Sequence, residues 1–330
     1  MSETNSTPPK ADTKATAKEQ PAQVTPMMNQ YLAIKKEHPE YLLFYRMGDF
    51  YELFFEDAVS AAAALDITLT HRGKHLGEDT PMCGVPVHAS EGYLHRLIRK
   101  GFRVAVCEQM ENPAEAKKRG AKSVVRRDVV RLVTPGTLSE DGLLDARSHN
   151  FLAAYATSGD EPSLAWLDMS TGEFWVADLQ QQSFAAMLAR LQPSEILLPE
   201  TIANADDEVS AKIYETLPNV TLTVCSPSTT LSELGTDLMR KHFLENDDSS
   251  DADNIMSRAH LAACGLLLDY LQTTQISNLP RLRYPQVETG SVYMSLDAAT
   301  RTNLELIKTQ SGERRGSLLS IIDRTMTASG

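Results

Sequence analysis

Phe50 and Glu52 stand two positions apart, just after a glycine-containing turn, in the run Gly48-Asp49-Phe50-Tyr51-Glu52. An apolar side chain can kink DNA by wedging into a base step and unstacking it, which costs a few kcal/mol. A mispaired or unpaired step is already weakly stacked, so the cost is lower there. Phosphates repel a carboxylate, so Glu52 is tolerated only if it accepts a hydrogen bond from a base or donates one while protonated. The pair therefore fits the probing of badly paired steps, with Glu52 rejecting sound ones.

A simpler interpretation of the same residues also fits the composition. Apolar side chains are usually buried, so Phe50 could be a core aromatic and Glu52 an exposed strand residue. The exposure of the Phe50 ring separates the two interpretations.

The sequence does not favour a metal site, a disulfide framework or a membrane span. The four cysteines are widely separated and form no C-x-x-C pair, which fits a reducing compartment: Cys83, Cys107, Cys225 and Cys264. His71 and His75 are close, but glycine and basic residues separate them, which favours a solvated loop. No apolar run has the length of a bilayer span, and the first residues lack a secretory signal.

The net charge of −12 argues at first against nucleic acid, but the acidity is unevenly distributed. Residues 1–130 hold 18 Lys+Arg against 17 Asp+Glu, and residues 131–330 hold 14 against 27. Local basic patches set phosphate affinity, and phosphate contacts would position the wedge. The candidates are Arg96, Arg99, Lys100, Arg103, Lys117, Lys118, Arg119, Lys122, Arg126, Arg127 and Arg131.

The first elements predict a mixed α/β domain over residues 25–130, preceded by a disordered tail over 1–24. Thr25 caps a helix that ends at Pro39, and Gly48 closes a strand that begins at Tyr41. The later elements are a helix over 58–65, a helix capped by Ser90, and strands over 102–107 and 124–133.

Residues 131–253 predict a second α/β domain. Strands are expected over 152–155, 164–169, 174–179, 196–198 and 220–224, with helices over 183–191 and 206–217. Ser170-Thr171-Gly172 is a hairpin turn. An acidic linker over 245–254 precedes helical material over 254–330, in which Asp297 caps a helix that reaches Ile307.

Five segments occur in a fixed order along the chain: TPMMNQYLAIKKEHPEYLLFYRMGDFYELFFEDA (25–58), PMCGVPVHA (81–89), VAVCEQ (104–109), VRLVTPGT (130–137) and SLDAATRTNLEL (295–306). Together they closely resemble the MutS family of bacterial DNA mismatch-repair proteins, over nearly everything after the tail. The resemblance implies that Phe50 wedges at a mispair and that Glu52 hydrogen-bonds its base. It places Met47, Arg72 and Arg127 in contact with DNA nearby.

The resemblance also implies an architecture of class α/β. Residues 25–130 would be the mismatch-recognition domain, residues 131–253 a connector domain with a ribonuclease H-like fold, and residues 254–330 the start of an all-helical core or lever domain. The chain ends within helical material, so we expect it to be the N-terminal portion of a longer protein.

The expected function is the recognition of mismatched or unpaired bases in double-stranded DNA, which initiates mismatch repair. The expected partners are this DNA, a MutL-type repair factor docked on the connector, and a second copy in a homodimer of the longer protein. The expected location is the bacterial cytoplasm, at the nucleoid and away from membranes.

The family's longer members are DNA-dependent ATPases that use ATP and Mg²⁺. The P-loop pattern G-x-x-x-x-G-K-[ST] is missing from this sequence, because Gly73-Lys74 lacks the leading glycine and Gly316 is followed by Ser317. We therefore expect no catalytic residue, cofactor or metal in this chain.

Two other function classes stay open. A ribonuclease H-like fold could be a metal-dependent nuclease if Asp168, Glu173 and Asp178 converge on two magnesium ions. An acidic face over 200–254 would instead suit protein partners, and that role is compatible with DNA binding by the first domain.

Overall fold

The computed structural model describes residues 25–75, 78–120, 123–138, 149–180, 183–205, 207–226, 231–244, 256–276, 281–289 and 296–325. The predicted tail, the acidic linker over 245–254 and Lys122 lie outside these stretches. No helix among the described residues is long and apolar enough to span a bilayer.

The described stretches contain both helices and strands. The helices are α1 (Pro26–Glu37), α2 (Phe55–Leu65), α3 (Ser90–Arg99), α4 (Pro113–Lys118), α5 (Phe184–Leu191), α6 (Glu200–Ala205), α7 (Asp207–Thr216), α8 (Leu231–Met239), α9 (Arg258–Thr274), α10 (Ala298–Asn303) and α11 (Leu318–Ile322). The strands are β1 (Leu42–Met47), β2 (Phe50–Phe54), β3 (Thr70–His75), β4 (Glu78–Pro86), β5 (Val104–Gln109), β6 (Arg127–Val133), β7 (Phe151–Ser158), β8 (Glu161–Asp168), β9 (Glu173–Asp178), β10 (Glu195–Pro199), β11 (Thr221–Cys225) and β12 (Gln286–Val287).

The first unit is a six-stranded mixed sheet in the order β3-β4-β2-β1-β5-β6. Strands β1 and β5 are parallel, and the other neighbours are antiparallel. Helix α1 packs on one face through Met28, Tyr31 and Ile34, while α2 and α3 cover the other. Thr25 accepts from the Met28 amide at 3.3 Å, which confirms the predicted cap.

Three local predictions for the first unit differ from the structure. Ser90 is the first residue of α3 and does not cap it; its hydroxyl donates to the Val87 carbonyl at 2.7 Å. His71 and His75 lie on β3 and not in a loop. Strand β6 begins only at Arg127.

The second unit is another six-stranded sheet, in the order β11-β10-β7-β8-β9-β12. The hairpin turn before β9 is confirmed, with Gly172 at a φ of +72°. Helix α5 packs on one face and α9 on the other, each against its own apolar cluster. The predicted helix capped by Asp297 is confirmed at its start but ends at Asn303, ahead of Ile307.

Helix α9 packs against the second sheet as part of the second unit and does not begin a separate helical domain. Its residues Ala262, Ala263 and Leu266 lie in one cluster with Leu152 of β7. A Cβ built on Gly235 of α8 would lie 1.9 Å from a carbonyl oxygen of α9, so only glycine permits this crossing.

Both domain boundaries therefore fall later than predicted. The boundary after residue 130 divides β6, and the boundary after residue 253 separates α9 from the sheet that it covers. Strand β12 extends the second sheet further still, by pairing with β9. The periodicity of apolar residues predicts that α9 is a helix but does not indicate what it packs against. The predicted boundary after residue 253 therefore falls too early.

Arg103 joins the two units. It lies just before β5, where its guanidinium donates to the Leu222 carbonyl at 3.2 Å and to the Thr223 hydroxyl at 3.1 Å. It also pairs with Glu40 at 3.0 Å. The position of the first sheet is thereby tied to strand β11 of the second.

Candidate nucleic-acid interface

The β1–β2 hairpin is the centre of the candidate interface. Met47 pairs with Phe50 across a two-residue turn of Gly48 and Asp49. Gly48 has a φ of +61°, a conformation that favours glycine. The Asp49 carbonyl accepts from the Val87 amide at 2.9 Å, so the chain after β4 holds the turn in place.

Phe50 is the exposed end of β2, in which Tyr51, Leu53 and Phe54 are buried and Glu52 is partly buried. Successive strand residues alternate between faces, and Tyr51 and Leu53 point into the core under α2 and α3. On the opposite face, Phe54 is buried with its ring centre 5.0 Å from that of Tyr31 on α1. Helix α1 does not cover Phe50, whose side chain is 47% exposed. This exposure excludes the alternative in which Phe50 is a core aromatic.

Glu52 lies on the same face as Phe50 and is held by a cation. One guanidinium nitrogen of Arg72, Nη1, lies 2.5 Å from Oε1 and 2.6 Å from Oε2 of Glu52. The Glu52 side chain is 13% exposed, against 48% for Arg72. The free repelling carboxylate expected from the sequence is therefore a paired one in the structure.

Arg127, the first residue of β6, contacts the β1 strand of the hairpin across the intervening strand β5. Its guanidinium lies 4.8 Å from the centre of the Tyr45 ring. Its Nε donates to the Arg46 carbonyl at 2.7 Å, and its Nη2 lies 3.3 Å from Met47 Sδ. Its Nη1 donates to Gln30 Oε1 on α1 at 3.3 Å. Arg127 thus fixes the end of β1 against α1.

The structure brings the predicted site residues to one region of the first sheet. Arg72 contacts Glu52, Arg127 contacts Met47, and Phe50 lies between the two pairs as the strand partner of Met47. Whether these residues contact DNA stays a prediction.

A second network lies behind the hairpin, and no pattern in the sequence indicated it. On the face opposite Phe50, the Tyr51 hydroxyl donates to Glu108 of β5. Arg46 lies 3.3 Å from the same carboxylate and 5.6 Å from the centre of the Tyr51 ring. Burial, with a contribution from Glu108, raises the pKa of Tyr51 to about 12, so the hydroxyl stays protonated at neutral pH. Residue types and spacing do not predict a contact between positions so far apart.

Several basic residues predicted to grip phosphates are used within the protein. Arg96 and Lys100 donate to the last carbonyls of α2. Arg119 pairs with a neighbouring carboxylate at 2.5 Å. Arg103 precedes β5, which runs parallel to β1, so it lies at the opposite end of the sheet from Phe50. Arg103 is therefore a junction residue and not part of this interface.

The three carboxylates considered for nuclease chemistry do not converge. Asp168 and Glu173 are paired across the β8–β9 hairpin, whereas Asp178 pairs with Ser163 at its other end. The two ends are roughly 16 Å apart at the usual strand rise. No group of three His, Cys, Asp or Glu within the described stretches could hold a metal ion.

Two family models match the chain, one on each sheet. Residues 25–142 match the family described as MutS domain I, and residues 150–283 match MutS domain II. The second match extends across α9, in agreement with the packing of that helix on the second sheet.

Curated relatives match nearly the whole chain. The Ruegeria pomeroyi and Paracoccus denitrificans proteins are each 56% identical over 311 residues, which is 93% of this chain and 34% of the relative. The protein from Ruegeria sp. strain TM1040 is 55% identical over 307 residues. Each is described as a DNA mismatch repair protein MutS, and this chain spans about a third of their length.

Proposed function

The chain belongs to the MutS family of DNA mismatch repair proteins, and on that premise we propose that its first unit recognises mismatched or unpaired bases in double-stranded DNA. Phe50 enters the weakened base step as a wedge, and Glu52 hydrogen-bonds the base that the wedge displaces.

One observation carries this proposal, namely the exposure of Phe50 on a rigid strand end. A large apolar side chain normally gains free energy by leaving water, so a ring that is 47% exposed beside a two-residue turn is available to a partner. Glu52 follows on the same face, within reach of whatever the ring contacts. The partner that suits both is a displaced base, which offers a flat apolar face and a hydrogen-bonding edge.

Selectivity in this proposal comes from deformability. Inserting a ring into a well-stacked step costs a few kcal/mol, and a mispaired step has already lost part of that stacking. Met47 and Arg127 contribute by fixing the hairpin that carries the ring, and exposed basic residues such as Lys117 contribute phosphate contacts.

Titration of the 330-residue chain with a G·T-containing duplex and its matched control tests the proposal. We expect tighter binding to the G·T duplex, and binding to both duplexes should weaken as salt rises, because phosphate contacts release counterions. Equal affinity for the two duplexes, or no binding, would overturn the proposed function.

For the longer proteins of this family we propose ATP- and Mg²⁺-dependent activity and homodimer formation. We also infer a ribonuclease H-like second unit. An antiparallel series β7-β8-β9, with β10 parallel to β7, supports that inference. Residues 296–325 would then open the helical core domain. A bacterial cytoplasmic location at the nucleoid follows from the proposed substrate.

A protein-docking role for the second unit is a compatible second proposal. Helix α7 carries Tyr214, which is 46% exposed, and the same helix holds the exposed carboxylates Glu208 and Glu215. An aromatic within an acidic surface suits a protein partner and not phosphates. We propose a MutL-type repair factor as that partner. Loss of its binding in Tyr214→Ala, measured by calorimetry, would support the proposal, and unchanged binding would contradict it.

A further inference from the structure

Glu52 is already occupied when no DNA is bound. The Nη1 of Arg72 lies within 2.6 Å of both carboxylate oxygens, and the Glu52 side chain is only 13% exposed, so a base that approaches this carboxylate competes with the guanidinium. The geometry points to a role for Arg72 beyond a phosphate contact. We propose that Arg72 determines specificity by masking Glu52 until a displaced base competes for the carboxylate.

The two partners lie on strands of unequal rigidity. Glu52 is on β2, which is hydrogen-bonded to β1 on one side and to β4 on the other. Arg72 is on β3, which is the edge strand of the sheet among the described residues and pairs with β4. The β3–β4 register shifts between His71 and Lys74, and Gly73 there has a φ of +70°. An edge strand with a bulge loses fewer bonds when it moves, so Arg72 is the partner that can leave.

Masking changes what Glu52 does during the search for a mispair. An unpaired carboxylate would repel the phosphates of every duplex, sound or not. A carboxylate paired with Arg72 presents no net charge, so the hairpin can approach paired DNA without that penalty. With Arg72 in place, Glu52 no longer distinguishes mispaired from paired DNA by repelling phosphates. The distinction comes instead from competition between a displaced base and Arg72 for the carboxylate.

The competition has different outcomes at sound and mispaired steps. In a sound step, the ring N–H groups of the bases are engaged by their partners and are not available to Glu52 in exchange for Arg72. Where Phe50 displaces a mispaired base, a ring N–H or amino group is freed and can donate to the carboxylate. Glu52 then exchanges a guanidinium for a base, and Arg72 becomes free to reach a phosphate.

This inference rests on the proposed function, but it makes a separate prediction. An arginine that only contacts phosphate weakens binding to all sequences and does so independently of Glu52. An arginine that masks Glu52 has an effect that depends on the carboxylate. A double-mutant cycle of Arg72→Gln and Glu52→Gln measures this dependence.

The cycle is measured as dissociation constants for the G·T and matched duplexes at one salt concentration. Arg72→Gln should weaken binding to the matched duplex, because the exposed carboxylate then repels phosphates. The double variant should recover affinity relative to Arg72→Gln, with a coupling of about threefold or more. Glu52→Gln alone should bind the matched duplex more tightly and lose most of its preference. The Arg190–Glu288 ion pair of the second unit, 2.7 Å apart, is a matched control. A double-mutant cycle of that pair should show no coupling in the dissociation constants for either duplex.

A measurement without DNA tests the mask itself. Arginine-selective ¹⁵N spectra of the full chain should show hindered rotation of the Arg72 guanidinium, and Glu52→Gln should abolish it. Identical Arg72 signals in the two chains, or Arg72 and Glu52 effects on binding that simply add, would overturn the inference while leaving the proposed function standing. A wild-type chain without mismatch preference would instead overturn the proposed function.

Discussion

Gly136 donates its backbone N–H to Glu195 Oε2 at 2.9 Å, and this bond joins the turn after β6 to strand β10 of the second unit. The other oxygen, Oε1, accepts from the Thr223 hydroxyl at 2.5 Å and from the Tyr270 hydroxyl at 2.8 Å. Glu195 is completely buried. A buried carboxylate with donors on both oxygens therefore links the first unit to the second, close to the contact made by Arg103.

Truncation of this carboxylate should destabilise the protein. In Glu195→Ala, three buried donors lose their acceptor, and we expect the free energy of unfolding to fall by about 2 kcal/mol or more. Glu195→Gln keeps the size and one carbonyl oxygen, so its loss should be smaller. Urea unfolding at neutral pH measures both. Glu215→Ala, on the exposed face of α7, should change the value by less than about 0.5 kcal/mol. A Glu195→Ala chain as stable as that control would contradict the prediction.

Replacement of Phe50 by alanine should affect the preference for mismatched DNA without affecting the stability of the protein. We expect Phe50→Ala to lose the preference for mismatched over matched DNA while its unfolding free energy stays within about 0.5 kcal/mol, because the ring is half exposed. Tyr214→Ala is the matched control, since its ring is equally exposed but lies on the second unit. Fluorescence anisotropy with both duplexes measures the preference. Retention of the preference in Phe50→Ala would contradict the assignment of Phe50.

The sequence predicted the local part of the interface. The glycine turn and the alternation of β2 follow from residue types and a period of two, so the sequence alone suffices to place Phe50 and Glu52 on one face. The Arg72–Glu52 pair could not be predicted, because it depends on the order of the strands, in which β4 separates β3 from β2. Residue type favours an exposed Glu195, since isolated carboxylates are rarely buried. Its three donors come from segments that meet only in the folded chain.

Tyrosine ionisation should destabilise the first unit at high pH. Burial raises the pKa of Tyr51 from 10.0 to about 12, with Glu108 adding to the effect. The folded chain therefore holds this proton more tightly than the unfolded chain, so its stabilising contribution is complete below about pH 10 and is lost between about pH 10 and 12. Urea unfolding across this interval should show a shallower decline in Tyr51→Phe than in the wild type.

Asp168 should contribute stability that disappears in acid. Burial alone would raise its pKa, but hydrogen bonds from Ser170 and His149 outweigh burial and hold the pKa below its ordinary value. The folded chain binds this proton more weakly than the unfolded chain, so the contribution is present above about pH 4 and is lost as the pH falls further. We expect Asp168→Asn to be less stable at neutral pH and to lose less stability on acidification, measured by urea unfolding.

The same residue provides the test of nuclease chemistry. Two-metal hydrolysis needs carboxylates that converge on one point, whereas Asp178 lies at the opposite end of the hairpin from Asp168 and Glu173. We expect no cleavage when the chain is incubated with Mg²⁺ or Mn²⁺ and nicked or RNA–DNA hybrid duplexes. Gel analysis of end-labelled strands measures the products. Cleavage that depends on the added metal and is abolished by Asp168→Asn would show that the second unit assembles a metal site on binding its substrate. That result would reverse the assignment of Asp168 to fold stability.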